Sequence, residues 1–445
     1  LKTIYVCTQC GAQSSRWAGQ CLKCNAWNSL AEDVIDLSPK KQITLQTAPI
    51  KPTVTLKSSP LKNTRLVTGI GELDRVLGGG FISDSVALLV GDPGIGTSSL
   101  TLQIADRMAS LGRSVLYFSG EESVEQISAR AQRLKLKNNI ALANQNSLEV
   151  ILSTIQAEKP GFVVVDSVQV MGSEMLTSQA GSVSQVRYVA EQLMQIAKSK
   201  GIPILLIGHV TKDGQLAGPQ VLTHLVDTVL YLEGDKFHQF RLLRTTKNRF
   251  GAVDEVGVFK MEPTGLAEVA NPSALFLEGR AKNPIGSVIV PNLEGTRIFL
   301  VEVQALTNYT SFGYPKRTAN GFDLNRLNII IAVLNRYANL KLDSCDVFVN
   351  VVGGLKLSEP AADLAVAMAI ASSKLQKPLP QNLAIMGEVG LSGEVRTIPQ
   401  MEKRIKEAKK LGFTQIVSPA NTKLLAEAIK TIFQKTAPRS PSSSE

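Results

Sequence analysis

A glycine-rich turn at residues 91–99 has the composition of a phosphate-binding loop. The residues are Gly91, Asp92, Pro93, Gly94, Ile95, Gly96, Thr97, Ser98 and Ser99. The turn follows an apolar run at residues 86–90, which predicts a buried strand, and precedes a helical pattern that stops before Gly112. In this context glycines let backbone N–H groups surround phosphate oxygens, and the helix N-terminus adds favourable partial charge. We therefore predict that this turn binds ATP or ADP.

Two positions in the turn decide what it can do with a nucleotide. Ser98 stands where a hydroxyl would bind Mg²⁺. Thr97 stands where the phosphate-loop motif has Lys. A Lys ammonium beside a phosphate charge contributes about 4 kcal/mol of Coulomb energy at an effective dielectric of 20. Because that charge is missing, we predict severely reduced ATP turnover.

The composition limits the class of protein. A chain of 445 residues should hold two or three domains, and a net charge of +10 favours a polyanionic partner such as nucleic acid. No apolar run reaches membrane-spanning length, and the first residues carry a Cys pair instead of a signal-peptide pattern. Five cysteines, four of them in two pairs, favour a reducing cytoplasm with a bound metal over a disulfide framework. With three histidines, a His-rich metal site is excluded.

Four cysteines near the N-terminus have the spacing of a zinc ribbon. Cys7, Cys10, Cys21 and Cys24 form two CxxC pairs, which can satisfy tetrahedral Zn²⁺. The alternative is a pair of redox dithiols, but neither CxxC opens a helix after a strand. We predict a structural zinc ribbon at residues 1–30 and a linker at 31–63. The nearby Arg16, Trp17 and Lys23 suit a nucleic-acid or protein contact, or an ordinary exposed surface. Cys345 stands apart and is predicted to be a buried apolar residue.

Residues 64–270 predict an α/β domain. Apolar runs at 115–118, 162–165, 204–207 and 229–232 alternate with helical patterns, so we expect a mostly parallel sheet covered on both faces.

Polar residues follow several of these strands, where ligands of such sheets bind. Asp166 is predicted to hold Mg²⁺, Glu121 or its neighbour Glu122 to orient the attacking water, and His209 to sense the γ-phosphate. Taken singly, Asp166 could be a helix cap, the Glu pair a solvated turn and His209 an ordinary polar residue. Together, beside a phosphate loop, they favour ATP hydrolysis.

This region resembles the RecA-type ATPases. Its opening segment, TGIGELDRVLGGG at 68–80, is similar to that of RecA and KaiC relatives. Residues 247–251 match the KNRFG signature of the RadA (Sms) family of bacterial DNA-repair proteins, and the four-Cys ribbon matches as well. The resemblance implies that Lys247 and Arg249 act near the nucleotide or the DNA, in catalysis, as charges that complete a neighbouring subunit's site. Without the resemblance, the pattern of Lys247 and Arg249 would indicate only a solvated basic turn.

The same resemblance implies two DNA-facing loops, at about 171–184 and 211–220. Lys212 is their only basic residue, so DNA contacts there would depend largely on backbone N–H and hydroxyl groups, with Arg187 nearby.

Residues 271–435 read as an α+β domain that resembles the proteolytic domain of Lon. Lon works through a Ser–Lys dyad, but matching 359–363 and 387–395 to its motifs places Ala361 at the Ser position and Glu402 at the Lys position. A methyl group cannot attack a carbonyl, so we predict a scaffold for ring assembly and DNA contact. A displaced dyad of Ser358 and Lys403 is the alternative. The basic candidates for DNA contact are Lys316, Arg317 and Arg326, with Lys341 and Lys356. A Ser- and Pro-rich tail at 436–445 is expected to be disordered.

The resemblance covers essentially the whole chain and implies a DNA-dependent ATPase and helicase-type motor of homologous recombination. Such a protein acts on single-stranded DNA and branched intermediates as a homo-oligomeric, hexameric ring that drives branch migration, with RecA recombinase as a candidate partner. Its cofactors would be Zn²⁺, Mg²⁺ and ATP. Two alternatives stay open: a non-motor DNA-binding scaffold regulated by nucleotide, and a peptidase with the displaced dyad.

Overall fold

A computed structural model describes residues 2–35, 65–209, 220–234, 240–277, 279–282, 284–310 and 313–435. The chain forms two compact units, Leu1–Glu268 and Val269–Glu445, so the unit boundary lies close to the predicted domain boundary at residue 270. Most of the predicted linker, Lys212 and the predicted tail lie outside the described residues. None of the helices in the described ranges is both long and apolar enough to cross a membrane.

The N-terminal ribbon is a three-stranded antiparallel sheet in the order β2-β1-β3. Its strands are β1 (Lys2–Cys7), β2 (Gln13–Ser14) and β3 (Leu30–Ile35). Strand β3 pairs with β1 along its whole length, from Leu30 opposite Cys7 to Ile35 opposite Lys2. The ribbon therefore runs past the predicted end at residue 30 and includes the first residues assigned to the linker.

The ATPase domain is built on a nine-stranded sheet in the order β14-β13-β12-β11-β6-β10-β9-β7-β8. Its elements in chain order are β4 (Arg65–Leu66), α1 (Gly71–Leu77), β5 (Phe81–Ile82), β6 (Val86–Gly91), α2 (Thr97–Ser110), β7 (Val115–Ser119), α3 (Val124–Arg133), β8 (Ala141–Asn144), α4 (Leu148–Glu158), β9 (Phe162–Asp166), α5 (Val183–Lys200), β10 (Ile204–His209), α6 (Gln220–Leu225), β11 (Thr228–Glu233), β12 (Phe240–Asn248), β13 (Val256–Glu262) and β14 (Gly265–Glu268).

The six strands from β11 to β8 are parallel, and β12, β13 and β14 extend the sheet in antiparallel fashion. Every residue of β6 and β9 is buried, because α2 packs on one face of the sheet and α4 and α5 pack on the other. The predicted parallel sheet with both faces covered is confirmed.

Local sequence signals fix several helix ends in this domain. Ser123 and Gln126 form a reciprocal capping box at the start of α3, and Ser182 accepts a hydrogen bond from the Gln185 N–H at the start of α5. Gly201 ends α5 in the left-handed conformation, where a glycine avoids a Cβ clash.

The second unit has a six-stranded mixed sheet in the order β17-β18-β16-β15-β19-β22, with β20 paired to β21 beside it. Its elements are α7 (Pro272–Phe276), β15 (Ser287–Glu294), β16 (Arg297–Tyr309), β17 (Arg317–Asn320), α8 (Leu324–Ala338), β18 (Cys345–Val351), a 3-10 turn (Pro360–Ala362), α9 (Asp363–Leu375), β19 (Leu383–Ile385), β20 (Glu388–Val389), β21 (Val395–Arg396), α10 (Met401–Lys410), β22 (Gln415–Val417) and α11 (Leu425–Lys435). The predicted α+β class is confirmed, and the almost wholly buried α9 forms its centre.

A buried ion pair joins three parts of this unit. The Arg404 side chain on α10 is 0% exposed, and its guanidinium donates two hydrogen bonds to the Glu359 carboxylate, at 2.6 and 2.5 Å. Arg404 also donates to the carbonyl oxygens of Pro399 and Pro291, and Glu359 accepts from the Leu293 N–H. These bonds satisfy both charges, and they tie α10 and the 3-10 turn to β15.

We expect Arg404→Leu to lower the free energy of unfolding by about 3 kcal/mol or more, because it leaves the largely buried Glu359 carboxylate without a partner. Urea denaturation of the full chain followed by circular dichroism measures this loss. The matched control is Lys403→Leu, an exposed neighbour on α10, which should change stability by about 0.5 kcal/mol or less. The double variant Arg404→Leu/Glu359→Leu should recover part of the loss, and a double variant less stable than the single one would contradict the unpaired-charge explanation.

Candidate functional site

The phosphate loop leaves β6 at Gly91 and enters α2 at Thr97, as predicted. Gly94 and Gly96 have φ values of 83° and 117°, a left-handed conformation that glycine adopts without strain. The start of α2 has no side-chain cap and no acidic residue in its first turn. Its first N–H groups and the helix dipole therefore suit an anion, so a nucleotide phosphate fits this loop.

Thr97 packs inside the loop. Its side chain is 5% exposed, and a Cβ added at Gly91 would lie 2.8 Å from Thr97 Cγ2. The Thr97 carbonyl accepts a hydrogen bond of 2.9 Å from the Thr101 hydroxyl within α2. The position that holds Lys in the motif is therefore filled by a small side chain that supports the loop and brings no charge.

Arg241 on β12 places a fixed positive charge against this loop. It is 4% exposed, its Nε donates to the Ile95 carbonyl at 3.0 Å, and its Nη1 donates to the Phe240 carbonyl at 2.8 Å. Sequence reasoning missed this residue. No local signal marks it, because β12 carries three basic residues and Arg241, Leu242 and Leu243 are buried in succession without alternation.

Asp166 lies at the carboxyl end of β9, two strands from the phosphate-loop strand β6. The Tyr117 hydroxyl donates to its Oδ2 at 2.6 Å. Burial raises the pKa of Asp166, and the hydrogen bond from Tyr117 opposes that rise. Burial and the neighbouring carboxylate raise the pKa of Tyr117, so the phenol stays a hydrogen-bond donor. Tyr117 was not predicted, because its role depends on β7 pairing beside β9.

The two candidate carboxylates after β7 have different surroundings. The Ser167 hydroxyl donates to Glu121 Oε1, and His209 Nε2 lies 3.7 Å from Glu121 Oε2. Glu122 instead accepts two hydrogen bonds from Arg130, at 2.6 and 2.7 Å. Glu121 is 41% exposed and held between residues of two neighbouring strand ends. Glu121 is thus the more exposed of the two carboxylates, and it contacts residues at the ends of β9 and β10 instead of an arginine.

Lys247 and Arg249 lie away from this chain's own phosphate loop. Lys247 pairs with Val229, which pairs with Leu88 in the first half of β6, whereas the loop begins after Gly91. Lys247 Nζ donates to the carbonyls of Thr223 and His224, at 2.7 and 3.0 Å, at the end of α6.

The half-exposed Arg249 pairs with the buried Asp227 at 2.9 Å. Burial, with the charge of Arg249, lowers the pKa of Lys247. Both residues therefore form an anchored basic cluster toward the amino-terminal ends of the parallel strands, whereas the phosphate loop follows the carboxyl end of β6.

The predicted DNA-contact residues fall into two groups. Arg187 and Lys316 are exposed, although Arg187 pairs with Glu191 at 2.8 Å. Arg317 and Arg326 donate hydrogen bonds to groups of the protein itself, so they are less suited to contact DNA.

Arg317 donates to the carbonyls of Leu342 and Cys345, and Cys345 itself is buried, as predicted. Arg326 pairs with Asp363 and donates to the Ser358 and Glu359 carbonyls at 3.1 Å each. The pKa of Asp363 is about 6, because burial raises it more than Arg326 lowers it.

The residues tested for a Ser–Lys dyad do not form one. Ala361 is buried, and its carbonyl accepts from the Gly387 N–H at 2.8 Å. Glu402, at the position of the Lys base, is exposed on α10. Ser358 and Lys403 are both described and both exposed, and no hydrogen bond joins them. Nothing in the described part of this unit supports peptide hydrolysis.

Two matching turns present the four cysteines. The Gly11 N–H donates to the Cys7 carbonyl and the Asn25 N–H donates to the Cys21 carbonyl, each at 2.8 Å. Gly11 and Asn25 both adopt positive φ, which Gly and Asn tolerate better than other residues. Each CxxC is therefore followed by a residue suited to the same tight turn.

The four sulfur atoms converge. They lie within 4.8 Å of one another, and the Cys7–Cys24 and Cys10–Cys21 pairs are each 3.6 Å apart. Tetrahedral Zn–S bonds of about 2.3 Å would place sulfur atoms about 3.8 Å apart, so Zn²⁺ fits the group. All four positions are filled by protein, which defines a structural site with no open position for a substrate.

Family models match three parts of the chain. They match residues 55–215 as an AAA domain, residues 5–32 as a rubredoxin metal binding domain and residues 307–422 as subunit ChlI of Mg-chelatase. Among solved structures, the chain is similar to one described as an ATPase domain, with a TM-score of 0.42 and 16% identity over 47% of this chain and 92% of that one.

The fold and the sites together define a RecA-like P-loop ATPase that carries a four-Cys zinc ribbon and a Lon-protease-like C-terminal domain. The chain is 47% identical to DNA repair protein RadA of Bacillus subtilis, over 94% of this chain and 93% of that one. It is 45% identical to DNA repair protein RadA of Listeria monocytogenes, over 94% and 92%. The chain belongs to the RadA family.

We expect the chain to bind one zinc ion, and removal of the zinc to unfold the ribbon, because so small a sheet has little other core. Both tryptophans of the chain, Trp17 and Trp27, lie in the ribbon, so tryptophan emission reports its folding separately from the rest. Chelation should shift that emission and release the zinc, and Cys10→Ser should abolish zinc binding. Cys345→Ser is the control and should leave the zinc content unchanged. A chelated chain whose emission did not change would contradict a structural role.

Proposed function

We propose that this chain is a DNA-dependent ATPase and helicase-type motor of homologous recombination, in which Thr97 strongly reduces hydrolysis. It would act on single-stranded DNA and branched intermediates, driving branch migration as a homo-oligomeric ring. The observation that carries the proposal is the Glu121–Ser167–His209 cluster beside an uncapped phosphate loop. Membership of a family whose relatives are named for DNA repair supports the DNA substrate.

The positions of the loop and of the strand ends support the following nucleotide-side roles. Backbone N–H groups of the 91–99 loop would hold the phosphates, and Ser98 and Asp166 would hold Mg²⁺, which supplies charge neutralisation when bound. Glu121 orients or deprotonates the attacking water, kept in place by the Ser167 hydroxyl. His209 contacts both Glu121 and, through its carbonyl, the side chain of Gln169, so it can report the state of the γ-phosphate to the residues after β9.

The basic cluster of Lys247 and Arg249 would serve a neighbouring subunit. It lies toward the amino-terminal ends of the parallel strands, away from the loop of its own chain, which supports action in trans. The contacts with α6 and Asp227 would fix the Lys247 ammonium and the half-exposed Arg249 guanidinium in place, and Arg249 is the more accessible of the two to a neighbour's phosphate. A ring is the assembly in which each subunit can serve the next, and six subunits is our expectation from the family resemblance.

The DNA contacts would combine the stretches around 171–184 and 211–220, the second of which lies almost wholly outside the described residues, with basic residues such as Arg187 and Lys316, which are exposed. RecA recombinase is a candidate protein partner. Thr97 favours a second function, a DNA-binding scaffold regulated by nucleotide without turnover, because the loop keeps its cradle and lacks its Lys.

One substitution separates the two functions. We expect Thr97→Lys to raise DNA-stimulated ATP hydrolysis by about a hundredfold or more, because a charge reserved for the transition state is restored. Thr97→Met is the matched control, because the Met side chain is about as long as Lys but carries no charge. This variant should hydrolyse ATP at about the rate of the present chain. Phosphate release with and without single-stranded DNA measures both. If Thr97→Lys bound DNA but did not hydrolyse ATP, the motor function would be rejected and the scaffold function would stand.

The two neighbouring carboxylates provide an internal comparison in the Thr97→Lys background. Glu121→Gln should lower the turnover number by about a hundredfold or more and leave nucleotide affinity nearly unchanged, because the base is lost but the loop is intact. Glu122→Gln should lower turnover by less than about tenfold, since Glu122 is already neutralised by Arg130. Equal losses in the two variants would remove Glu121 from its proposed role.

A further inference from the structure

Both tryptophans of this chain lie on the zinc ribbon, and both are exposed. Trp17 is 61% exposed and Trp27 is 72% exposed, although tryptophan is among the most buried residues on average. Neither is a zinc ligand, and the buried residues of the ribbon are Ile4, Val6 and two of its cysteines, with Ser29. The rings therefore serve neither the described core of the ribbon nor its metal.

The segment that carries the two rings has basic and no acidic side chains. Residues 8–29 contain Arg16 and Lys23 and no Asp or Glu, and both cations are exposed. A partner for this surface must offer flat apolar faces and negative charge together.

The fold holds Trp27 in place without burying it. Trp27 forms a β-bridge with Gln20, and a Cβ added at Gly19 would lie 3.7 Å from its ring. The ring thus lies beside a residue without a side chain, in a turn fixed by the second zinc knuckle. The outer face of a ring held in this way can bind a partner. Because the side chain is already ordered, binding costs it little conformational entropy.

Unpaired nucleotides have this combination of properties. Each base offers a flat face that stacks on an aromatic ring whatever its sequence, and each phosphate offers a charge to a nearby Arg or Lys. Duplex DNA lacks the first property, because its bases are already stacked on one another. An acidic protein segment would supply the charge but not a repeated series of flat rings.

We propose that Trp17 and Trp27 form a stacking surface for unpaired bases of single-stranded DNA, and that Arg16 and Lys23 bind the adjoining phosphates. The inference rests on the proposed function in taking single strands as the substrate. It adds a contact outside the ATPase domain, placed on a module that does not depend on the phosphate loop. The DNA contact would therefore persist when the nucleotide site is impaired by Thr97.

The tryptophan emission of the full-length, zinc-loaded chain tests this directly, because every tryptophan lies at the proposed site. We expect unlabelled oligothymidylate to quench the emission in a saturable way, and a duplex of equal length to leave it unchanged. Trp17→Ala and Trp27→Ala should each weaken binding of a labelled oligothymidylate by about tenfold, the effect of one lost stacked base. Trp17→Phe and Trp27→Phe should retain most of the affinity.

Two controls show whether a weaker affinity comes from lost stacking or from damage to the ribbon, and a third measurement tests the phosphate contacts. Leu22→Ala removes an exposed apolar residue of the same module and should leave the affinity unchanged. Zinc content should be unchanged in every tryptophan variant. Arg16→Gln and Lys23→Gln should each make binding less dependent on salt, because a phosphate contact is lost.

The results also separate this inference from the proposed function. Emission that stays constant while the same chain binds labelled single strands would overturn the stacking surface, and it would point to a protein partner for the ribbon. If DNA then still stimulated hydrolysis in the Thr97→Lys form, the motor would stand without the stacking surface. Quenching with no stimulated hydrolysis would support the stacking surface and remove the motor.

Discussion

Burial of the parallel sheet on both faces decides where the chemistry of the ATPase domain can lie. Strands β6 and β9 are buried along their whole length, so a polar side chain within them would need an internal partner. Asp166 and His209 accordingly lie where their strands end. Two polar side chains within other strands of the sheet have such partners: the Tyr117 hydroxyl reaches the Asp166 carboxylate, and Arg241 donates to the Ile95 carbonyl. One constraint thus produces both the apolar core and the cluster of polar residues at its edge.

The phosphate loop separates two functions that are usually found together. Its glycines and the uncapped start of α2 supply a shape and a partial charge for phosphate, and both depend on the backbone alone. The full positive charge normally comes from a side chain, and here that position holds a buried Thr97. Arg241 donates a hydrogen bond to the Ile95 carbonyl of the loop. A positive side chain therefore stabilises the loop, although the residue at position 97 carries no charge.

The sequence predicted features whose signals are local. The loop, the buried strands, the four cysteines and the carboxylates after the strands could be identified because each lies within a few residues of its own context. Features that depend on pairing distant segments were missed: Arg404 meets Glu359 45 residues away, and Arg241 meets Ile95 146 residues away. Arg326 was assigned to DNA for the same reason, since Asp363 is 37 residues away and its pairing cannot be seen in the local sequence.

Strand β12 carries Arg241 near one end and Lys247 near the other, about 20 Å apart at the usual rise of a strand. The first residue holds the phosphate loop of its own chain, and the second ends in the basic cluster toward the amino-terminal ends of the parallel strands. Strand β13 pairs with β12 from Phe240 to Arg244, and the pairing of β12 with β11 shifts register between Thr245 and Lys247. The Arg241 end of β12 therefore lies in a regular ladder and Lys247 lies beyond an irregularity in it, so the two ends do not form one continuous rigid strand.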